Sequence, residues 1–228
     1  MSLADKNEAL PRRESLPNGC FLWMDDTCAF GTDALLLAQF AQVTKGERVC
    51  DLGTGCGILP LLWQGDSAPA RVDAVECAPV AAALARRSVQ ENGLCDRIVI
   101  CEQSWESLDL PAGGYDRVVS NPPYFAQGSG KQSEHPARRL ARHETGDTLN
   151  TVVSAAARLL KVGGHFVLCH RPERLVAVLQ TLRAHDLEPK RLQFAYGRQD
   201  KPPFLLLCDA VKGGRESLSV LPPLLMKE

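Results

Sequence analysis

The sequence predicts an α/β protein: one domain, residues 1–228, holding a doubly wound, mostly parallel, seven-stranded sheet with an antiparallel hairpin at its edge. Three observations lead there. Short apolar runs alternate with helical patterns along most of the chain, the signature of strand–helix–strand units with helices on both sheet faces. The last two apolar runs have no helix between them, so they pair antiparallel. The length, 228 residues, supports a substantial single core without disulfides or metals.

Residues 1–16 are polar and read as a loose N-terminal segment. The first helical pattern opens at Thr32-Asp33, both good capping residues, runs through Phe40, and is closed by Lys45-Gly46. Strands are expected at Arg48–Leu52, Val72–Glu76, Ile98–Cys101, Asp116–Ser120, His165–Cys169, Leu192–Tyr196 and Phe204–Val211. Helices are expected around Ile58–Trp63 and over Pro79–Asn92, where Gly93 takes the usual place after the last turn. A further helix is capped by Asp147, carries Leu149, Val152, Val153, Ala156, Leu159 and Leu160 on one face, and stops at Gly163-Gly164. Another spans Pro172–His185. The segment Gly197–Pro203 reads as the turn of the closing hairpin.

Composition excludes several classes. The nine cysteines include no C-x-x-C pair, so they read as reduced thiols of a cytoplasmic protein, with Cys50, Cys101, Cys169 and Cys208 filling apolar strands. The five histidines show no metal-ligand spacing, so no metal is expected. No apolar stretch reaches membrane-spanning length, and the N-terminus lacks a signal-peptide core. The net charge of −1 hides an asymmetry: residues 1–120 carry 10 Lys/Arg against 17 Asp/Glu, and the remainder carries 16 against 10. A basic C-terminal half can meet a polyanion, and chance clustering of solvated side chains explains it equally well.

Two motifs carry chemistry. The first is Asp51-Leu52-Gly53-Thr54-Gly55-Cys56-Gly57, between the first of those strands and the next helix, where open α/β sheets bind ligands. Its spacing is neither G-x-G-x-x-G nor a phosphate loop ending in Gly-Lys-Ser/Thr. An acid precedes its alternating glycines, and Glu76 ends the following strand. Carboxylates there disfavour a phosphate-rich ligand and favour a cation bearing amine and hydroxyl groups. Glu76 is placed to reach a ribose diol, and Asp51 to take an amino group directly or through water. S-adenosylmethionine has those parts. The second motif is Asn121-Pro122-Pro123-Tyr124, where a buried strand breaks. Two prolines stiffen the turn and remove two N–H donors. An amide and an aromatic ring remain, suited to holding a flat amino-bearing molecule by stacking and hydrogen bonds.

Together, the D-L-G-T-G-C-G loop, Glu76 and N-P-P-Y resemble a class I S-adenosylmethionine-dependent amino-methyltransferase. More narrowly, the chain resembles the bacterial valine-tRNA adenine-N6 methyltransferase family. That likeness rests on Phe30–Ala34, Asn121–Phe125, Ala141–Glu144, His170–Leu175, Ala210–Gly214 and Val220–Leu224. It implies a Rossmann-like methyltransferase fold, S-adenosylmethionine as methyl donor with S-adenosylhomocysteine as product, and RNA, specifically tRNA, as partner. Asn121, Pro122 and Tyr124 become the catalytic set. The cofactor set becomes Gly31, Thr32, Asp51, Gly53, Gly55, Gly57, Glu76, Cys77, Gln103 and again Asn121. Gln103 stands where the wider class often has an acid on the adenine amino group, and the neighbouring Glu102 could serve instead. Phe30-Gly31-Thr32 is placed to close over the methionine end, although Thr32 or Asp33 would equally serve as helix caps.

Residues 126–146 read as a substrate loop, in which Arg138, Arg139 and Arg142 are candidate phosphate contacts. With His143, Pro123 and Phe125 they make up the substrate-binding set. A glutamine-N5 methyltransferase acting on a release factor is the main rival, because a carboxamide amine is equally flat. Its relatives carry an N-terminal substrate domain for which the stretch before the first strand is too short. Ribosomal RNA or DNA adenine is a nearer alternative, and a non-catalytic cofactor-binding scaffold the most distant.

Overall fold

The computed structural model describes residues 10–65, 68–122 and 148–226. Its central sheet is formed by β3 (Arg48–Leu52), β4 (Arg71–Glu76), β5 (Ile98–Glu102), β6 (Tyr115–Ser120), β7 (Leu160–His170), β8 (Leu187–Tyr196) and β9 (Leu205–Lys212), extended by the short β10 (Ser219–Val220) and β11 (Leu224–Leu225). The order across the sheet is β10-β8-β9-β7-β6-β3-β4-β5, with β11 also on β8. The pairs β3–β4, β4–β5, β3–β6 and β6–β7 are parallel, and β9 runs antiparallel to both β7 and β8. The order reverses at β3, so the crevice of an open α/β sheet falls at the carboxyl ends of β3 and β6.

Successive residues of these strands feed opposite faces, which is why their runs are apolar throughout. Val49, Val72, Ala74, Val119 and Val167 pack with Leu37 and Phe40 of α1 (Thr32–Phe40), Leu59 and Leu61 of α2 (Ile58–Leu62), and Leu84 and Val89 of α3 (Pro79–Glu91). Cys50, Leu52, Val75, Val118 and Phe166 pack with Leu149, Val152 and Leu159 of α4 (Thr148–Leu159) and Val178 and Leu182 of α5 (Leu175–Ala184). The expected doubly wound, mostly parallel fold is the one observed.

Four details differ from the sequence reading. Among the described residues the sheet has nine strands rather than seven. The two-residue β10 and β11 are too short to leave a periodic signal, and they cover the edge of β8 that the hairpin would otherwise expose. Second, Arg12–Ser15, read as loose, forms β1 and pairs antiparallel with β2 (Phe21–Met24). Leu16 and Leu22 bury against the first face of the sheet and give this hairpin its anchor. Third, Gly163-Gly164 does not separate helix from strand, because α4 ends at Leu159 and β7 runs through both glycines. Gly163 has φ +80°, and a Cβ on Gly164 would lie 3.0 Å from the Lys161 carbonyl oxygen, so the pair bends the strand past its neighbour where the β6–β7 register shifts. Fourth, neither Thr32 nor Asp33 caps α1. The cap residue is Gly31, without a side-chain hydrogen bond, and the helix ends at Phe40, before Lys45-Gly46.

The amino end of the sheet is tied by a buried carboxylate. Asp73 accepts from Arg48 (3.1 Å), Arg71 (2.9 Å) and the Tyr115 hydroxyl (2.8 Å). Burial alone would raise its pKa, but the bonds from Arg71, Tyr115 and Arg48 outweigh that and hold it below the ordinary carboxylate value. Its stabilising contribution is present above the unfolded carboxylate pKa and is lost as pH falls below it. Asp73→Ala leaves a buried hydroxyl and two guanidinium groups without their acceptor, and a loss of about 3 kcal/mol in urea unfolding at neutral pH is expected. An unchanged midpoint would contradict this.

Candidate active site

The glycine loop leaves β3 at Asp51-Leu52 and enters α2. Its backbone donors are spent internally: Gly53 and Thr54 both donate to the Val75 carbonyl at 2.9 Å, and Gly57 donates to Thr54 at 3.0 Å. Gly55 N–H donates to Glu76 Oε2 at 2.9 Å. Glu76 Oε1 accepts from Ala78 N–H at 2.8 Å, so this carboxylate at the end of β4 clamps the loop to the start of α3. A loop with its N–H groups so used offers no nest for phosphate. Gly57 sits at φ +90°, and a Cβ there would meet the Ala85 Cβ of α3 at 3.3 Å. Gly53, at φ +82°, has the Trp105 ring 3.0 Å from where a Cβ would stand. Both positions need glycine.

Asp51 is fully buried, and neither of its oxygens, nor the Thr54 hydroxyl, has a hydrogen-bond partner among the described residues. Burial pushes its pKa up to about 7. The Thr54 hydroxyl opposes the rise without reaching hydrogen-bond geometry, and the Glu76 charge adds to it. An orphaned carboxylate beside a second acid is a site that calls for a cation.

The opposite wall is the segment before α1. Asp25 Oδ1 accepts from Thr27 N–H, Thr27 Oγ1 and Cys28 N–H at 2.7–2.8 Å, which fixes the turn into Phe30-Gly31. Cys28, Ala29, Phe30, Gly31 and Asp33 then share one pocket with Gly53, Thr54, Gly55, Cys56 and Asn121. The Cys28 thiol is pushed up by the neighbouring Cys56 thiol and then by burial. A larger hollow of about 460 Å³, against 240 Å³ here, lies at the amino ends of the strands beside Lys45, Ala70 and Arg97. It lacks the strand-end glycine loop, so the site is placed at the carboxyl ends.

Asn121 follows β6 directly. Ser120 Oγ donates to the Leu52 carbonyl at 2.7 Å, so the ends of β6 and β3 are pinned together and the amide faces the loop. Its Oδ1 accepts from the Cys169 thiol of β7 at 3.1 Å. His170, next along β7, is held near pKa 4 by burial and then by the Arg174 charge, and its Nδ1 accepts from Arg171 N–H at 2.8 Å.

Of the residues expected from sequence, Gly31, Gly53, Gly55 and Asn121 line one pocket, with Asp51, Gly57 and Glu76 in the loop and strand ends that build it. Thr32 begins α1 and is exposed, and Cys77 follows Glu76 and is exposed too. Gln103 lies just beyond β5, where its Oε1 already accepts Asp109 N–H at 3.0 Å. Glu102 pairs with Arg86 at 2.8 Å. Pro122 closes the described part of the turn. Pro123, Tyr124, Phe125, Arg138, Arg139, Arg142, His143 and the rest of the 126–146 loop lie outside the described residues. Sequence reasoning missed Cys28, Cys56 and Thr54 as pocket walls and Cys169 as a partner of Asn121. The loop composition signalled only Thr54 and Cys56.

Residues 23–182 match the family model for the methyltransferase small domain. A tRNA1(Val) (adenine(37)-N6)-methyltransferase from Aeromonas hydrophila is 39% identical over 146 residues, covering 63% of this chain and 60% of the relative. The protein of the same name from Pectobacterium carotovorum is 33% identical over 170 residues, covering 73% of this chain and 68% of that one. The chain thus spans about three-fifths to two-thirds of these relatives' lengths. Among solved structures, a predicted O-methyltransferase from Agrobacterium tumefaciens superposes with a TM-score of 0.68 at 21% identity, covering 85% of this chain and 87% of that one, a likeness of fold.

Asp51 also sets a pH signature. Its folded pKa of about 7 lies above the unfolded value. Between about pH 4 and 7 the folded protein therefore keeps a proton that the unfolded chain has released, and this group costs stability as pH rises through that window. Urea midpoints measured from pH 5 to pH 8 should fall for the wild type relative to Asp51→Asn. Parallel profiles for the two proteins would contradict an ionisable orphan.

Proposed function

The chain belongs to the methyltransferase small domain family, and from that premise we propose that it transfers a methyl group from S-adenosylmethionine to the N6 amino group of an adenine in tRNA. The observation that carries this reading is Asn121: an amide at the end of β6, pinned against the glycine loop and lining the same pocket. The names of the relatives supply the choice of tRNA and adenine.

The residues present fit the cofactor. Asp51 and Thr54, with their unpaired buried oxygens, would take its ammonium group. Glu76 keeps lone pairs beyond the two backbone bonds it accepts, and these would meet the ribose diol. Gly53 and Gly55 line the pocket where the cofactor would approach, Gly57 lets the loop close onto α3 behind them, and Gly31 and Thr32 border the methionine end. Cys77 and Gln103 are assigned to the adenosine side, where Gln103 has one lone pair of Oε1 left after Asp109. When bound, the cofactor supplies a methyl group already activated by a sulfonium charge, so no strong base is needed.

An exocyclic amine is a poor nucleophile because its lone pair is delocalised into the ring. Asn121 Oδ1 and the Pro122 carbonyl would accept its two N–H groups, favour a tetrahedral nitrogen and stabilise the positive charge that develops there. We assign Tyr124 to stacking on the base, worth about 1–3 kcal/mol, with Pro123 and Phe125 extending the platform. A base within a stacked loop is extruded first. Arg138, Arg139, Arg142 and His143 are assigned to the RNA backbone. Nine free cysteines fit a reducing, cytoplasmic setting, and among the described residues no helix is long and apolar enough to cross a membrane.

Asn121→Ala should lower turnover by about 10²–10³-fold while leaving cofactor affinity nearly intact, measured by labelled methyl transfer and calorimetry. Wild-type turnover in the variant would overturn the reading. Reversing Arg138, Arg139 and Arg142 to Glu should weaken RNA binding and flatten its salt dependence. An unchanged salt slope would remove these residues from the interface.

A further inference from the structure

An amide at a reaction centre has two ends of nearly equal size and opposite chemistry: an oxygen that accepts and an NH2 that donates. Only the oxygen can receive a substrate amine. Something must therefore set which end faces the pocket. The described residues place one candidate beside Asn121. Strands β6 and β7 are parallel with Ser120 opposite Leu168, so the next residues, Asn121 and Cys169, are neighbours at the carboxyl edge. Cys169 is fully buried among Val119, Val167, Ala195 and Leu207. Its Sγ lies 3.1 Å from Asn121 Oδ1.

We infer that Cys169 is the positioning residue of the methyl-transfer site, its thiol donating to Asn121 Oδ1 and so holding the carbonyl end of that amide in register to accept the substrate amine. A thiol suits this task. It is a weak donor that takes one lone pair of Oδ1 and leaves the other strong enough to accept from the substrate. In the flipped amide, NH2 would meet a sulfur that accepts poorly, and donors would face the substrate's own N–H groups. Burial pins the thiol, and with it the choice. The inference rests on the proposed N-methyl transfer and adds the residue that orients its acceptor.

The test compares wild type, Cys169→Ser and Cys169→Val in the full chain, with kcat and KM for RNA and Kd for S-adenosylmethionine measured separately. Cys169→Val keeps an apolar side chain of similar shape without a donor. Its kcat should fall roughly two- to tenfold, the range of one neutral hydrogen bond, with KM and cofactor Kd unmoved. Cys169→Ser restores a donor and should recover most of kcat despite the polar burial. Cys169→Ala is the second donor-free variant, should valine not fold. Wild-type kcat in a folded donor-free variant would overturn the inference, and so would equal loss in the serine and donor-free variants, which would reduce Cys169 to packing. If the wild-type protein itself transfers no methyl group to RNA, the proposed function fails instead.

Discussion

Everything at this site depends on two parallel strands ending side by side. β3 stops at Leu52 and β6 at Ser120, and the Ser120 hydroxyl bonds the Leu52 carbonyl across the gap at 2.7 Å. A glycine loop leaves the end of β3, and a rigid amide-bearing turn leaves the end of β6. Because the sheet order reverses at β3, a crevice opens at the carboxyl ends of this pair. The crevice arises from topology, and one buried side-chain bond keeps its two walls in register.

The electrostatics of the crevice are set by how its backbone is spent. Loop N–H groups that would greet a phosphate are turned inward to Val75, Thr54 and Glu76. The pocket side is left with carboxylate, most plainly Asp51, buried and without a hydrogen-bond partner among the described residues. Such a group costs the fold stability, and on the proposed reading a bound cation would offset that cost, the exchange of stability for function that active sites commonly show. At the opposite end of the same strand layer, Asp73 has three donors and its carboxylate is held charged. Two buried acids in adjacent strands thus differ in partners: Asp73 is held by three donors, and Asp51 by none among the described residues.

Much of this was legible in the sequence because its signals are local. Strands buried on both faces are apolar without interruption, and Arg48–Leu52 was readable to the residue. Alternating glycines after an acid, and a double proline after a buried run, carry their meaning in a few positions. The features that escaped depend on partners distant in the chain. The β1–β2 hairpin is anchored by leucines whose burial comes from the main sheet. Gly163-Gly164 reads as a stop and acts as a bend, because the neighbouring strand supplies the close approach. Cys169 reads as core filling, which it is, and only the β6–β7 register reveals that its sulfur also meets Asn121. Gln103 reads as an open acceptor, while Asp109, six residues on, has claimed part of it.

On the proposed reading, an amine acceptor and a sulfonium-binding loop meet across β3 and β6 to methylate adenine in RNA. The most direct measurement supplies methyl-labelled S-adenosylmethionine and the purified protein to total RNA from a strain lacking it, then digests the RNA to nucleosides. The predicted result is label in N6-methyladenosine from the tRNA fraction, sensitive to ribonuclease and indifferent to protease. Label confined to protein glutamine, or no transfer to any RNA, would contradict it.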